Sequence, residues 1–523
     1  MTCVYSAIMI NLFIALMFLT GCEQLEQASS NSVLKVLAGS ELKDIEPMLE
    51  TIKKQTGVTM EMHYIGTLDG AEKIVSGREH YDLAWFSHAK YFSLLQDENK
   101  IIHSQEKIAL SPVIPAVKTS LAQQWGWVNN PDVTWSQIAE KIKMGEFKYA
   151  MTDPTASNSG FSTVMSVQAA LSNAGDALTA EDIDADKLKS FFSGQSLTSG
   201  SSGWLSEAYI RDQNKLGGLF NYESVLMKMN RSGELQDPLT LIYPKEGMVT
   251  ADYPLILLAK DKIEPYQQLV AYLKSAEFQT WMMTQTDRRP VNTTVALSDS
   301  FPKGYLMDLP FPTSITTVNE ILFTYLDDKR KPSHSYFVLD LSGSMGGDRL
   351  VALKQAMVNL SGGDSSITGQ FARFRNREQV TFLPFNQDVI EIRDFSIGKN
   401  GLGMQKIQDY INSLKATGGT GIYSSLKTAY QQARLAIEKD PERFYSIVLM
   451  SDGISNEGLS YQQFEQYYRQ ESDYLANIRT FPVLFGEADQ QEMDNLARLT
   501  GGRVFDSRKD PLSHVFKKIR GYQ

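Results

Sequence analysis

The chain has 523 residues, of which 42% are hydrophobic, 21% charged and 10% aromatic. That composition belongs to folded globular domains and excludes collagen, long disorder and a polytopic membrane protein, and the length allows about three domains at roughly 100–200 residues each. Fifty-one basic against 61 acidic residues leave a net charge of −10, so there is no basic footprint for nucleic acid, and two cysteines, Cys3 and Cys22, are too few for a disulfide framework or a cysteine zinc site.

Both cysteines lie in the first 22 residues, a stretch without charge whose 7–19 segment is apolar apart from Asn11. An apolar core of about 7–15 residues ending at small residues is the pattern of a secretory signal, and a spanning helix needs about 20. The stretch ends in Leu19-Thr20-Gly21-Cys22, which resembles the bacterial lipobox. The resemblance implies a signal peptide over 1–21 and lipidation of Cys22. It also implies a short acylated tether over 22–32 that holds the protein to a membrane, in the cell envelope, facing the periplasm or exterior.

From residue 33 the pattern alternates. Apolar Val33–Ala38 is followed by amphipathic Leu42–Gln55, strand-like Val58–Ile65, a short helix to Val75 and a strand over Tyr81–Phe86. Alternation of this size predicts a parallel sheet covered by helices, with ligands gathering at the carboxyl ends of the strands. The residues at those ends are Ser40, Thr67 and Ser87, and a second such pattern begins near Trp135. There the strand Tyr149–Met151 leads through a run of small and hydroxyl residues, including Ser159 and Gly160, into a long helix. Hydroxyls at helix starts are common N-caps, and they also sit where a helix end favours anions, so both roles stay open.

Long apolar stretches at Lys107–Val117 and Leu239–Leu258, the latter holding Tyr243-Pro244-Lys245-Glu246-Gly247, are expected to cross between two lobes. Trp135-Ser136, the Asp-Pro to Ser-Gly turn at 153–160 and the Tyr-Pro-Lys-Glu-Gly segment together make 33–300 similar to type 2 periplasmic solute-binding proteins, near the oxyanion binders. The resemblance implies a small solute held by Ser40, Thr67, Ser87, Ser159, Gly160 and Tyr243. An oxyanion suits the neutral donors, and peptide, sugar and a cleft serving only as scaffold stay open.

Four prolines and the charged run Asp327–Lys331 mark 301–333 as a linker, with a helix expected over Thr317–Leu326. After it an apolar run ends in Asp340-Leu341-Ser342-Gly343-Ser344, Thr420 opens a helix after Gly418-Gly419, and the apolar strand Tyr445–Met450 ends in Ser451-Asp452-Gly453. These three loops, in order, are similar to the von Willebrand factor A (vWA) family and its metal-ion-dependent adhesion site. The resemblance assigns Asp340, Ser342, Ser344, Thr420 and Asp452 to a divalent cation, and 334–520 to a Rossmann-like vWA domain. Hydroxyl and carboxylate oxygens suit Mg²⁺ first, with Mn²⁺ and Ca²⁺ as alternatives. Few direct anionic ligands leave such an ion able to accept an Asp or Glu of a protein partner.

No nucleophile elbow, phosphate loop or dinucleotide fingerprint occurs, and the six histidines show no metal-binding spacing, so binding is expected in place of catalysis. The aromatic stripe 461–474 has the spacing of a helix core face. The fold class is therefore α/β, a two-lobed periplasmic-binding-protein-like domain followed by a vWA domain. Such a chain reads as an adaptor that couples solute binding to metal-dependent protein binding. A transport receptor delivering solute to a permease, and an adhesin or assembly factor with a vestigial cleft, are the alternatives.

Overall fold

The computed structural model describes residues 32–96, 100–172, 178, 185–302 and 306–523. Cys22 and the signal and tether segments lie outside the described residues. Among the described residues no helix is long and apolar enough to cross a membrane.

Three sheets organise the chain. In the first, β1 (Ser32–Gly39) pairs in parallel with β2 (Val58–Ile65) and β3 (Leu83–Trp85), and β11 (Pro254–Leu257) lies antiparallel between β3 and β4 (Ser104–Lys107). The second centres on β5 (Ala109–Lys118), which pairs with β8 (Gly218–Tyr222), β9 (Leu239–Leu241), β10 (Thr250–Ala251) and β12 (Arg289–Pro290), while β8 continues to β6 (Tyr149–Thr152) and β7 (Gln195–Ser199). The chain thus crosses from the first lobe to the second between β4 and β5 and returns between β10 and β11. Tyr253, at the return, holds φ +40°, a left-handed conformation that a bulky side chain rarely adopts and that costs of order 1–3 kcal/mol.

The segment after β1 is not the continuous helix its amphipathic spacing predicts. Ser40–Met48 is a 3₁₀ turn and the α-helix runs only over Leu49–Thr56, ended by Gly57 at φ +71°. Pro47 lacks the N–H that an α-helical turn needs at that point.

The third sheet has the order β15-β14-β13-β16-β17-β18, with β13 (Ser333–Asp340), β14 (Gln379–Phe385), β16 (Phe444–Ser451), β17 (Arg479–Leu484) and β18 (Phe505–Asp506) parallel and β15 (Arg393–Ser396) an antiparallel edge. Every residue of β13 is buried, as expected of a strand with helices on both faces. In the helix Tyr461–Gln470, whose N-terminus carries a Ser460–Gln463 capping box, Phe464 and Tyr468 pack on Tyr430 as the stripe predicts, whereas Tyr474 beyond it is exposed.

The linking segment is packed. Its helix runs over Ile315–Thr324, capped by Ser314, and is followed by a π-turn over Tyr325–Lys329. Val318, Ile321 and Leu322 share one core with Trp135 and Phe161 of the second lobe and with Phe371 of the third domain. A second core runs without a break from Trp204, Leu205 and Tyr209 into Phe337, Phe481 and Phe516. The second lobe and the third domain are therefore joined by apolar burial.

Candidate metal centre and solute cleft

Asp340 ends β13 and Asp452 follows β16, its parallel neighbour, so both carboxylates arrive at the same edge of the sheet. Both are fully buried. The Ser342 N–H donates to Asp340 Oδ1 at 2.8 Å and Ser451 Oγ to Oδ2 at 2.6 Å. Ser342 and Ser344 share a hydrogen bond of 3.0 Å, and Ser344 Oγ donates to Asp452 Oδ1 at 2.8 Å. The Thr420 loop is tied alongside by Gly343 N–H to Gly418 O at 3.0 Å and Thr417 N–H to Leu341 O at 2.7 Å. Burial, and to a smaller extent the Asp452 charge, hold the Asp340 carboxyl above its ordinary pKa against the hydrogen bonds from Ser451 and Ser342.

The carboxylates of Asp340 and Asp452 and the hydroxyls of Ser342 and Ser344 are gathered into one hard-oxygen cluster of the chemistry that suits Mg²⁺ or Ca²⁺, and the loop that carries Thr420 is tied beside it through backbone hydrogen bonds. Among the described residues no group of three or more His, Cys, Asp or Glu side chains could hold a metal on its own. Two neighbours complete the cluster: Ser451, part of the third loop motif but given no role there, and Arg349, which carries no motif. Ser451 fixes Asp340, and Arg349 pairs with Asp452 at 2.5 Å.

The lobes meet in a cavity of about 510 Å³. Ser40 and Thr67 line it, together with Glu41, Lys43, Tyr64, Asp153, Ser157 and Asn158. Four of the sequence candidates lie elsewhere. Ser159 is fully buried and hydrogen-bonded to Thr152 at 2.9 Å and Ser202 at 2.7 Å. Gly160 is a packing position, since a Cβ there would lie 2.2 Å from the Thr152 carbonyl oxygen. The Tyr243 hydroxyl donates to Glu223, which Arg289 grips with two hydrogen bonds of 2.7 Å. Ser87 is fully buried, its hydroxyl beside the Glu41 carboxyl and the Tyr222 hydroxyl. His88 next to it is also fully buried, between Phe161 and Phe311, and burial holds it neutral with its pKa down at about 3.

The cavity has a third wall. Arg503, Phe505, Lys517, Lys518, Gly521 and Tyr522 of the third domain face the two lobes across it. At the junction, Ala156 of the second lobe touches both other bodies. A Cβ on Gly66 of the first lobe would sit 2.7 Å from the Ala156 carbonyl oxygen, and one on Gly521 would sit 2.7 Å from the Ala156 Cβ. Only residues without side chains allow so close an approach.

Residues 34–284 match the family model of the bacterial extracellular solute-binding protein, and residues 336–518 match that of the von Willebrand factor type A domain. The chain thus joins a region that matches the solute-binding family to one that matches the vWA family. Inter-alpha-trypsin inhibitor heavy chain H3 of Homo sapiens is 25% identical over 177 residues, 33% of this chain and 19% of that protein. An uncharacterized protein of Synechocystis is 29% identical over 219 residues, 41% of this chain and 47% of its own length. The chain thus spans about a fifth to a half of the curated relatives it matches. Among solved structures, the periplasmic binding protein AfuA of Actinobacillus pleuropneumoniae, bound to fructose-6-phosphate, is 17% identical with a TM-score of 0.44, covering 57% of this chain and 99% of its own. The sulfate-binding protein SubI of Mycobacterium tuberculosis is 17% identical with a TM-score of 0.40, covering 55% and 96%.

The vWA domain holds the two lobes differently. On the second lobe the contact is apolar and close, with the Tyr522 ring 5.1 Å from Trp204 and the place of a Gly200 Cβ only 2.5 Å from Tyr522. Arg479 adds an ion pair with Asp212 at 2.7 Å and lies over Trp204. On the first lobe a smaller apolar seam, in which Phe371 shares a buried cluster with Leu68, Ala71 and Phe86, is joined by polar ties. Lys517 pairs with Asp69 at 3.1 Å, and the Glu72 carboxylate accepts the N–H groups of Ile367 at 2.9 Å and Thr368 at 3.1 Å.

Proposed function

We propose that the protein is a lipid-anchored extracytoplasmic adaptor in which solute binding between the lobes and metal-dependent protein binding at the vWA domain are coupled. The observation that carries this reading is the vWA segment 503–522 lying across the mouth of the cleft, joined to the second lobe through a large shared core and to the first lobe by a smaller apolar seam and polar ties. Of the buried vWA side chains, Phe371 joins the core that reaches the first lobe, whereas Phe337, Phe481 and Phe516 share theirs with the second, so the vWA domain moves with the second lobe and unlatches from the first when the cleft opens. Lobe closure and vWA docking are then one equilibrium, and a solute and a partner that each prefer one of its states bias each other reciprocally.

A physical route joins the two sites. The Asp452 carbonyl accepts the Glu487 N–H at 3.0 Å, and the carbonyl of Leu484, in the preceding strand β17, accepts the Ser507 N–H at 2.9 Å beside Asp506 of the cavity wall. In the metal centre, Asp340 and Asp452 supply charge, and Ser342, Ser344 and Thr420 supply neutral oxygens. The ion, Mg²⁺ in this reading with Mn²⁺ or Ca²⁺ as alternatives, supplies a Lewis-acidic position for an Asp or Glu of a partner protein. Cys22 carries the lipid. Solute-binding and vWA families are generally non-catalytic, which fits a binding role.

The test is thermal melting of the full-length protein against Mg²⁺. A ligand specific to the native state stabilises it by about 2.7 kcal/mol at a hundredfold excess over Kd. A rise in melting temperature that is lost in Asp340→Ala supports the metal centre, and an equal rise in that variant refutes it.

A further inference from the structure

The cavity between the lobes holds polar atoms that the protein leaves unsatisfied. Glu41 Oε1, the Tyr64 hydroxyl and Asn158 Oδ1 line it, are buried, and have no hydrogen-bond partner. Asn158 is only 4% exposed, and its amide nitrogen is already engaged with the Tyr222 hydroxyl at 3.3 Å, which leaves the oxygen free. Just behind this floor the Ser87 hydroxyl lies beside the Glu41 carboxyl and the Tyr253 hydroxyl beside Arg288. A buried polar group without a partner costs about 1–3 kcal/mol, and native folds satisfy the large majority of theirs. Asn158 Oδ1 above all, buried and aimed into the cavity, marks a place for a partner from outside the chain.

The chemistry of these atoms narrows the ligand. The Glu41 and Asn158 oxygens accept hydrogen bonds, whereas the Tyr64 hydroxyl both donates and accepts. An alcohol hydroxyl matches such a mixed set because it does both. A bare sulfate only accepts, and it would meet the Glu41 carboxyl. Most cations of the cavity are already committed: Lys517 to Asp69, Lys518 to Asp510, and Arg330 and Arg520 to Glu378.

We propose that the cleft is a composite site for a polyhydroxylated, sugar-like solute, read by Glu41, Tyr64 and Asn158 and closed on its third side by the vWA wall around Arg503 and Tyr522. This rests on the solute-binding half of the reading above. The Glu41 carboxyl suits the task, because burial raises its pKa while the adjacent Arg288 draws it back, so it exchanges hydrogen bonds with hydroxyls in either protonation state. Arg503 lines the cavity and donates to the Tyr522 hydroxyl at 2.8 Å, which makes the vWA domain part of the binding surface.

The experiment is isothermal titration of the purified full-length protein with glucose, ribose and myo-inositol, and in parallel with sulfate and phosphate. Saturable binding of at least one polyol is expected. It should weaken tenfold or more in Asn158→Ala and in Glu41→Gln, which keeps the shape of the side chain, with the Mg²⁺ response of the melting temperature retained as the sign of a folded chain. A threefold or greater loss is expected in Arg503→Ala. Binding of sulfate or phosphate without any polyol overturns the ligand class and leaves the solute-binding reading standing. An unchanged affinity in Arg503→Ala removes the third wall. Heats absent for every titrant mean that the unsatisfied atoms hold water only, which overturns the proposal and the solute half of the function together, while the Mg²⁺ response still reports on the metal half.

Discussion

Replacing Tyr522 by Ala removes the aromatic side chain that bolts the vWA domain to the second lobe. The ring is 7% exposed and packs on Trp204 at 5.1 Å, Phe505 at 5.3 Å and Phe481 at 5.8 Å. An aromatic side chain buries about 150–250 Å², worth roughly 4–6 kcal/mol at about 25 cal/mol per Å², close to the 3–5 kcal/mol that aromatic-to-alanine changes cost in cores. Phe505 and Phe481 belong to the vWA domain itself, so about half of that loss falls on domain docking, against Trp204 and Gly200. A docking loss of about 2 kcal/mol is roughly a thirtyfold shift toward the undocked state. Hydrogen exchange by mass spectrometry reads it. Amides of the helix Ser202–Asp212 and of 512–523 should exchange about thirtyfold faster, with 340–345 unchanged. Faster exchange confined to 512–523 would show that Tyr522 only stabilises its own domain, and would refute the argument that apolar burial fixes the vWA domain to the second lobe.

Glu378 carries a pH prediction. It is buried between Arg330 and Arg520, and although burial alone would raise its pKa, the two guanidinium groups bring it below the ordinary carboxylate value. A carboxylate whose pKa is lower in the folded state adds stability above its unfolded value, near 4.5, and that stability is lost as the pH falls through the folded value. Glu378→Gln should therefore melt well below the wild type at pH 7, by the 3–5 kcal/mol typical of a broken buried ion pair, with the gap closing in acid; a gap that persists unchanged at pH 3 contradicts this. At the three-body junction, Gly66→Ala places a methyl 2.7 Å from the Ala156 carbonyl oxygen, so the lobes cannot close fully. X-ray scattering should report a larger radius of gyration for this variant, and an unchanged radius would mean that the junction yields locally.

What the sequence made legible follows the range of each interaction. The loop residues Asp340 to Ser344 and Asp452 stand next to strand ends whose apolar runs announce them, and the structure gathers them into one hydrogen-bonded cluster. Ser451 stands in the third loop motif but its bond to Asp340 crosses between strands, and Arg349 carries no local signal at all. In the cleft, Ser40 and Thr67 line the cavity, but Ser159 and Gly160 face inward because all but one residue of the helix Asn158–Leu171 is buried and that face serves packing. Glu41, adjacent to Ser40, is an acid where a search for anion donors would not look. The vWA wall was out of reach altogether: Ala156 and Gly521 are 365 positions apart, and nothing in either neighbourhood marks the contact.

A vWA domain that rides on the second lobe makes lobe closure and vWA docking a single event. Spin labels on Lys54→Cys in the first lobe, Glu207→Cys in the second and Lys439→Cys in the vWA domain, measured pairwise by electron double resonance, test it directly. When Glu72→Ala breaks the latch to Ile367 and Thr368, the 54–207 and 54–439 distances should lengthen together while 207–439 stays fixed. A 207–439 distance that changes while 54–207 does not would mean that the vWA domain undocks independently of the cleft, and would contradict the account.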